Sequence, residues 1–200
     1  MEVKMDQDQS EHLNKIRSMY EQLSELETEY WYLYSNLTDL KFWIVLMLFV
    51  IPLIAVYFLI DRKKIFLIGF YGFNIHVWFG YIDIWGVKHG LWEYPYQMLP
   101  FLPGSVTLEA SLAPVLYMLL YQWTLNNNKN FYLYTLVLSL FWAFIAKPIL
   151  VMHHMFHLHK WANYLHLFIA LCVIFLLSKL ITNIFIKMQN KRNESDFNKL

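Results

Sequence analysis

The stretch FWIVLMLFVIPLIAVYFLI, residues 42–60, runs for nineteen residues with no charge and one proline, Pro52. About 20 apolar residues at 1.5 Å each cover the ~30 Å hydrocarbon core of a bilayer, so this run is long enough to cross it as a helix. Four more stretches read the same way: residues 65–85, 107–125, 131–152 and 161–186. A buried core helix could explain one of them. Five in 200 residues, with 58% of the chain hydrophobic and 16% charged, leave too little polar surface for a soluble domain. The expected fold class is therefore all-α, an integral membrane bundle of five transmembrane helices spanning residues 42–186. Prolines near span ends (Pro52, Pro114, Pro148) are compatible with this, because neighbouring helices or waters can satisfy the carbonyls they free.

Residues 1–41 form a polar, acidic arm with nine Asp/Glu and three Lys/Arg before Lys41. No cleavable signal peptide is visible in it. From Leu13 its apolar residues recur at threes and fours: Leu13, Ile16, Tyr20, Leu23, Leu26 or Glu27, Tyr30, Leu33, Leu37 and Leu40. That spacing predicts an amphipathic helix close to a heptad seam. Two readings stay open. The helix can form a coiled coil, joining a second copy or a partner protein, or it can lie on the membrane or its own bundle. Residues 187–200 form a polar, basic tail.

Lys and Arg set the expected orientation. Arg62, Lys63 and Lys64, then Lys129, then Lys187, Lys191, Arg192 and Lys199 fall on one side. Lys41, Lys88 and Lys160 fall on the other. The positive-inside rule puts the C-terminus in the cytoplasm and, with five spans, the N-terminus outside. A net charge of +1 gives no reason to expect nucleic acid as a partner. The lone cysteine, Cys172, excludes an internal disulfide and a Cys-based zinc site.

The connection between the second and third spans, DIWGVKHGLWEYPYQMLPFLPG (residues 83–104), carries Pro95, Pro100 and Pro103 and cannot be one helix. It is too aromatic to be a solvated loop, so it is expected to lie at the headgroup level or fold back into the protein, as a structural plug or as a lid facing a ligand. Ionisable groups at span ends are costly and make default functional candidates. Asp83, Glu93 and Glu109 are the candidate acids. The candidate ligand-binding set is Asp83, Trp92, Glu93, Tyr94, Glu109 and Lys147. A Lys147 ion pair with Asp83 or Glu109 would fix helix register; a hydrated vestibule with a ligand-protonating carboxylate is the sharper alternative. Asn74 and His76 are expected to hydrogen-bond between helices.

His153 and His157 stand at i and i+4, a spacing that can bring two imidazoles to one metal. The stretch lacks the Glu of a zincin helix and any Cys, so the expectation is no metal and no cofactor.

Several of these residues resemble a family of small multi-pass membrane proteins of endospore-forming Firmicutes, the bacilli and clostridia. The matching pieces are Tyr30-Trp31, Trp43, Asp61-Arg62-Lys63-Lys64, Asp83 with Gly86, and Gly90-Leu91-Trp92-Glu93-Tyr94-Pro95-Tyr96 with Leu99-Pro100. Ser111-Leu112-Ala113-Pro114-Val115, Tyr117-Met118-Leu119, Tyr121-Gln122, Phe144 with Pro148, and Trp161 complete them. The resemblance implies the five-span architecture and a bacterial cell membrane, and carries no activity. The family tends to hold Glu where this chain has Lys147, and the His run is particular to this chain. A fainter likeness links Asp83, Gly90-x-Trp92, Leu102-Pro103 and Glu109 to small membrane lycopene cyclases, which protonate a polyene with acidic residues. Their Pro-x-Glu-Glu element is absent, because Glu109 stands between Leu108 and Ala110.

The expected function is thus binding of a partner protein or lipophilic ligand at the outer face. The alternative is an isoprenoid- or lipid-modifying enzyme using Asp83, Glu93 or Glu109 as proton donor. The bilayer itself is the expected partner of the spans.

Overall fold

The computed structural model describes residues 6–102 and 104–197, with side chains described through Asn190. It is almost wholly helical. Helix α1 spans Gln7–Tyr34, α2 Leu40–Leu59 and α3 Ile65–Lys88. A π-helical turn, Leu108–Leu112, leads into α4, Ala113–Asn126. Helix α5, Phe131–Phe141, runs through a second π-helical turn, Trp142–Ala146, into α6, Lys147–Met152. Helix α7 covers Tyr164–Phe197. Two-residue strands β1, Trp92–Glu93, and β2, His157–Leu158, pair antiparallel, with Trp92 opposite Leu158 and Glu93 opposite His157.

Among the described residues four helices are long and apolar enough to cross a membrane: Leu40–Leu59, Ile65–Lys88, Phe131–Met152 and Tyr164–Asn190. Their outer faces are apolar and uncovered, as in Phe58 at 75% and Phe66 at 91% exposure, which water would disfavour and lipid would not. The expected third span is also helical, but Glu109, Ser111, Gln122 and Thr124 make it more polar, and it is not among the four. Its position explains its composition. It packs against α2, α3 and α5, so Ala113, Pro114, Val115, Tyr117, Tyr121 and Thr124 are buried in protein. Helix α3 extends three residues beyond the expected 85, to Lys88.

Side-chain caps set several helix starts. Asp39 accepts from the Lys41 amide at 2.6 Å and Asn130 from the Leu133 amide at 3.2 Å. The Asn163 side-chain oxygen Oδ1 accepts from the Leu165 and His166 amides at 3.0 and 3.2 Å, capping α7, which starts at Tyr164 instead of the expected 161. The π turns trace to proline. The Ala113 amide bonds back to Leu108 and the Lys147 amide to Trp142, each five residues away, and Pro114 and Pro148 follow immediately. A proline ring clashes with the carbonyl four residues back and offers no N–H, so the preceding turn widens.

The arm is helical but buries no residue of its own. It is tied down at its C-terminal end. The Trp31 indole N–H donates to the Gln97 carbonyl at 3.0 Å; the Ser35 hydroxyl donates to the same oxygen at 3.1 Å and accepts from the Gln97 amide at 2.9 Å. The connection after α3 therefore lies between α1 and the bundle end, sewn to the α6–α7 connection by β1–β2 and by the His159 amide on the Leu91 carbonyl at 2.8 Å.

Candidate functional site

Asp83 lies in the second-to-last turn of helix α3, the first π turn presents Glu109, and α6 begins with Lys147. All three are buried, at 4%, 7% and 4% exposure. Asp83 is held by three donors. Its Oδ1 accepts from the Trp92 indole N–H at 2.8 Å and from the Tyr94 hydroxyl at 2.6 Å; its Oδ2 accepts from the Ser105 amide at 3.1 Å. The same Ser105 amide donates to Glu109 Oε1 at 2.9 Å, so one N–H bridges the two carboxyl groups. Gly104 passes them with φ +84°. A Cβ there would lie 2.3 Å from Glu109 Oε1 and 2.6 Å from Asp83 Oδ2, so both the conformation and the close approach require glycine.

The Lys147 ammonium does not form a direct ion pair with either carboxyl. It donates to the Tyr94 hydroxyl at 3.2 Å and sits over the Phe156 ring, 3.6 Å from its centroid. Tyr94 is thus the relay, donating to Asp83 and accepting from Lys147. Burial, then the adjacent Asp83 charge, hold its hydroxyl well above the ordinary tyrosine range, so it keeps the proton it donates. The expected Lys147–carboxylate pair is corrected to a hydrogen-bonded chain. The physical reason is spacing: the tyrosine ring fits between the charges and satisfies both. Trp92 and Tyr94 cover the Oδ1 side of Asp83.

Glu93 stands apart from the other candidates. Alternation along β1 turns it away from Trp92 and Tyr94; its side chain is 58% exposed and pairs with His159 at 3.2 Å. His153 and His157 are not on one helical face. Helix α6 stops at Met152, His154 adopts φ +57°, and His157 lies in β2. The rings of His154, His157 and His159 stack in sequence instead. Among the described residues no three His, Cys, Asp or Glu side chains come together to hold a metal.

His76 makes the expected interhelical bond: its Nδ1–H donates to the Glu109 carbonyl at 2.9 Å. That carbonyl is the one the π turn and Pro114 leave without a helical partner, so His76 fastens Glu109 in place. Asn74 instead bonds within α3, to the Phe70 carbonyl at 2.8 Å.

Beside the cluster lies a cavity of about 30 Å³. Asp83, Trp92, Trp142 and Lys147 edge it, and Phe79, Ile82, Leu167, Ala170, Leu171 and Ile174 form its apolar walls. The Trp142 indole N–H is buried without an acceptor among the described residues. Sequence reasoning did not single out Trp142, Ser105, Gly104 or Phe156. The only available signal was Pro148, whose π turn carries Trp142. It also passed over a half-buried lysine, Lys179, which donates to the Tyr121 hydroxyl at 2.8 Å and faces the Tyr121 and Phe131 rings.

Chemically, the site offers one carboxyl group held by three donors, a second held by one, an ammonium whose acceptor is the Tyr94 hydroxyl, and an indole N–H without an acceptor among the described residues. Comparison with protein-family models, curated proteins and solved structures finds no match to this chain.

Proposed function

We propose that this chain is a five-span bacterial plasma-membrane protein that holds a lipophilic ligand by an oxygen-bearing end group in the cavity beside Asp83 and Lys147. The polar helix Leu108–Asn126 is the fifth span, shielded from lipid by α2, α3 and α5. The basic connections face the cytoplasm, and the arm and the proline segment face outside.

One observation carries the ligand reading. Trp142, whose indole N–H has no partner among the described residues, and Lys147, whose ammonium has one acceptor, both line a small cavity with otherwise largely apolar walls. Buried donors left unmet cost about 1–3 kcal/mol each, so a carbonyl, carboxylate or hydroxyl oxygen placed there would be stabilised, with its chain lying between α3 and α7. At about 30 Å³ the space holds roughly two water-sized groups, an end group and not a ring. That size weighs against the enzyme alternative, which needs a substrate carbon brought to an acid. So does the state of Asp83, whose oxygens already receive three hydrogen bonds.

Native mass spectrometry of gently extracted protein tests the reading, with chromatography of the released small molecules. The wild-type chain is expected to retain an amphiphile that Ala170→Phe, which fills the cavity, does not. Identical bound species in both proteins would overturn it.

A further inference from the structure

Helix α1 runs for 28 residues and buries none of its own side chains, although most helical stability in proteins comes from packing an apolar face. It has such a face. Leu13, Ile16, Tyr20, Leu23, Glu27 and Tyr30 alternate at threes and fours, a heptad seam about 25 Å long at 1.5 Å per residue. The five apolar members are all exposed, as are Met19 and Leu26 beside them. The bundle does not cover this face. Trp31 and Ser35, which bond to the Gln97 carbonyl, stand off the seam, and Tyr20 touches the bundle only at its edge, its ring centroid 5.8 Å from the Lys88 ammonium.

The charges of α1 say what covers the seam. Residues 12–19 carry Lys15 and Arg17 and no acid, whereas residues 20–34 carry Glu21, Glu25, Glu27 and Glu29 and no Lys or Arg. The negative surface of an anionic leaflet would repel that acidic half. Two copies of α1 running in the same direction would set Glu27 against Glu27 inside the seam, an unfavourable like-charge contact. Running in opposite directions, about a point between Tyr20 and Leu23, they stack Leu13 on Tyr30, Ile16 on Glu27 and Tyr20 on Leu23. Glu27 of one copy then faces Ile16 and Arg17 of the other, and each acidic half lies along a basic half. Attachment to the bundle favours the same direction. The Tyr20 and Trp31 contacts, about 16 Å apart along the helix, lay α1 along the end of the bundle. Two copies with the same orientation in one bilayer pair around a two-fold axis along the membrane normal, and helices laid across such an axis are antiparallel.

We infer that α1 is a dimerisation element, through which two copies of this chain pair antiparallel with Leu13 of one against Tyr30 of the other. The contact is separate from the cavity beside Lys147 and uses none of its residues.

Sedimentation equilibrium of the full chain in mild detergent is expected to give two copies per particle. Leu23→Asp puts an unpaired charge into both central layers and should raise the dissociation constant about tenfold or more. Gln22→Asp, on the outward side of the same turn, should change it less than about threefold. Neither side chain is buried within one chain, so both variants should keep the helical content of the wild type. Cysteines report the direction. On a Cys172→Ser background, differently tagged Leu13→Cys and Tyr30→Cys chains made together should join through a disulfide under mild oxidation, whereas Tyr30→Cys chains made alone should not. One copy per particle at every concentration, whether or not α1 then binds lipid vesicles, would overturn the inference. So would a dimer that Leu23→Asp leaves as tight as the wild type, or Tyr30→Cys chains that link to each other.

Discussion

Replacing Tyr94 with Phe removes one oxygen and leaves the packing otherwise intact, which makes it a sharp test of the relay between Asp83 and Lys147. That oxygen donates to Asp83 at 2.6 Å and accepts from Lys147 at 3.2 Å. Hydrogen bonds involving charged groups contribute about 1.5–3 kcal/mol each. Asp83 would keep Trp92 and Ser105, but Lys147 would lose the one acceptor described for it, in a residue 4% exposed. The expected cost is about 3–5 kcal/mol, a large fraction of the ~5–15 kcal/mol that holds a typical domain folded. An ordinary hydrogen bond between membrane helices contributes only about 0.6 kcal/mol, so the two cases are separable. Equilibrium unfolding in mixed detergent should be measured for Tyr94→Phe, Lys147→Met and the double variant. The two changes act on one hydrogen bond, so they should be non-additive by about 1 kcal/mol or more. A single-variant cost below about 1 kcal/mol, or strict additivity, would refute the relay.

Gly104→Ala should destabilise by about 1–3 kcal/mol, since it combines a left-handed backbone with a methyl group driven between two carboxyl oxygens; an unchanged unfolding midpoint would show that the carboxyl pair does not close around this residue. On a Cys172→Ser background, cysteines introduced at Gln7 and Gln97 should react with an impermeant thiol reagent from outside, and cysteines at Lys63 and Asn127 only after permeabilisation. The reverse pattern would invert the proposed orientation and place the cluster on the cytoplasmic side.

What sequence alone settles about this chain is set by hydropathy and proline, both properties of short windows. Residues 42–60 are apolar throughout and need no partner to be recognised as long enough to cross a bilayer. The helical arm is legible in its own periodicity, and the three prolines after Asp83 forbid helix whatever surrounds them. The importance of Asp83, Glu109 and Lys147 is legible too, because a charge at a span end demands explanation wherever its partner is. Who the partner is depends on tertiary structure. Asp83 and Lys147 are 64 positions apart, and no local pattern reveals that Tyr94 stands between them. Nor does one reveal that β1 pairs with β2, a contact between residues 64 and 66 positions apart that turns Glu93 outward and Tyr94 inward. The same holds for the His run, whose helical spacing loses its meaning once α6 stops at Met152, and for the helix of Leu108–Asn126, whose polarity becomes acceptable only because three other helices surround it. A span is a balance between a segment and its solvent, which composition records. A buried polar cluster is a balance among groups from distant segments, and only the fold brings them within hydrogen-bond reach.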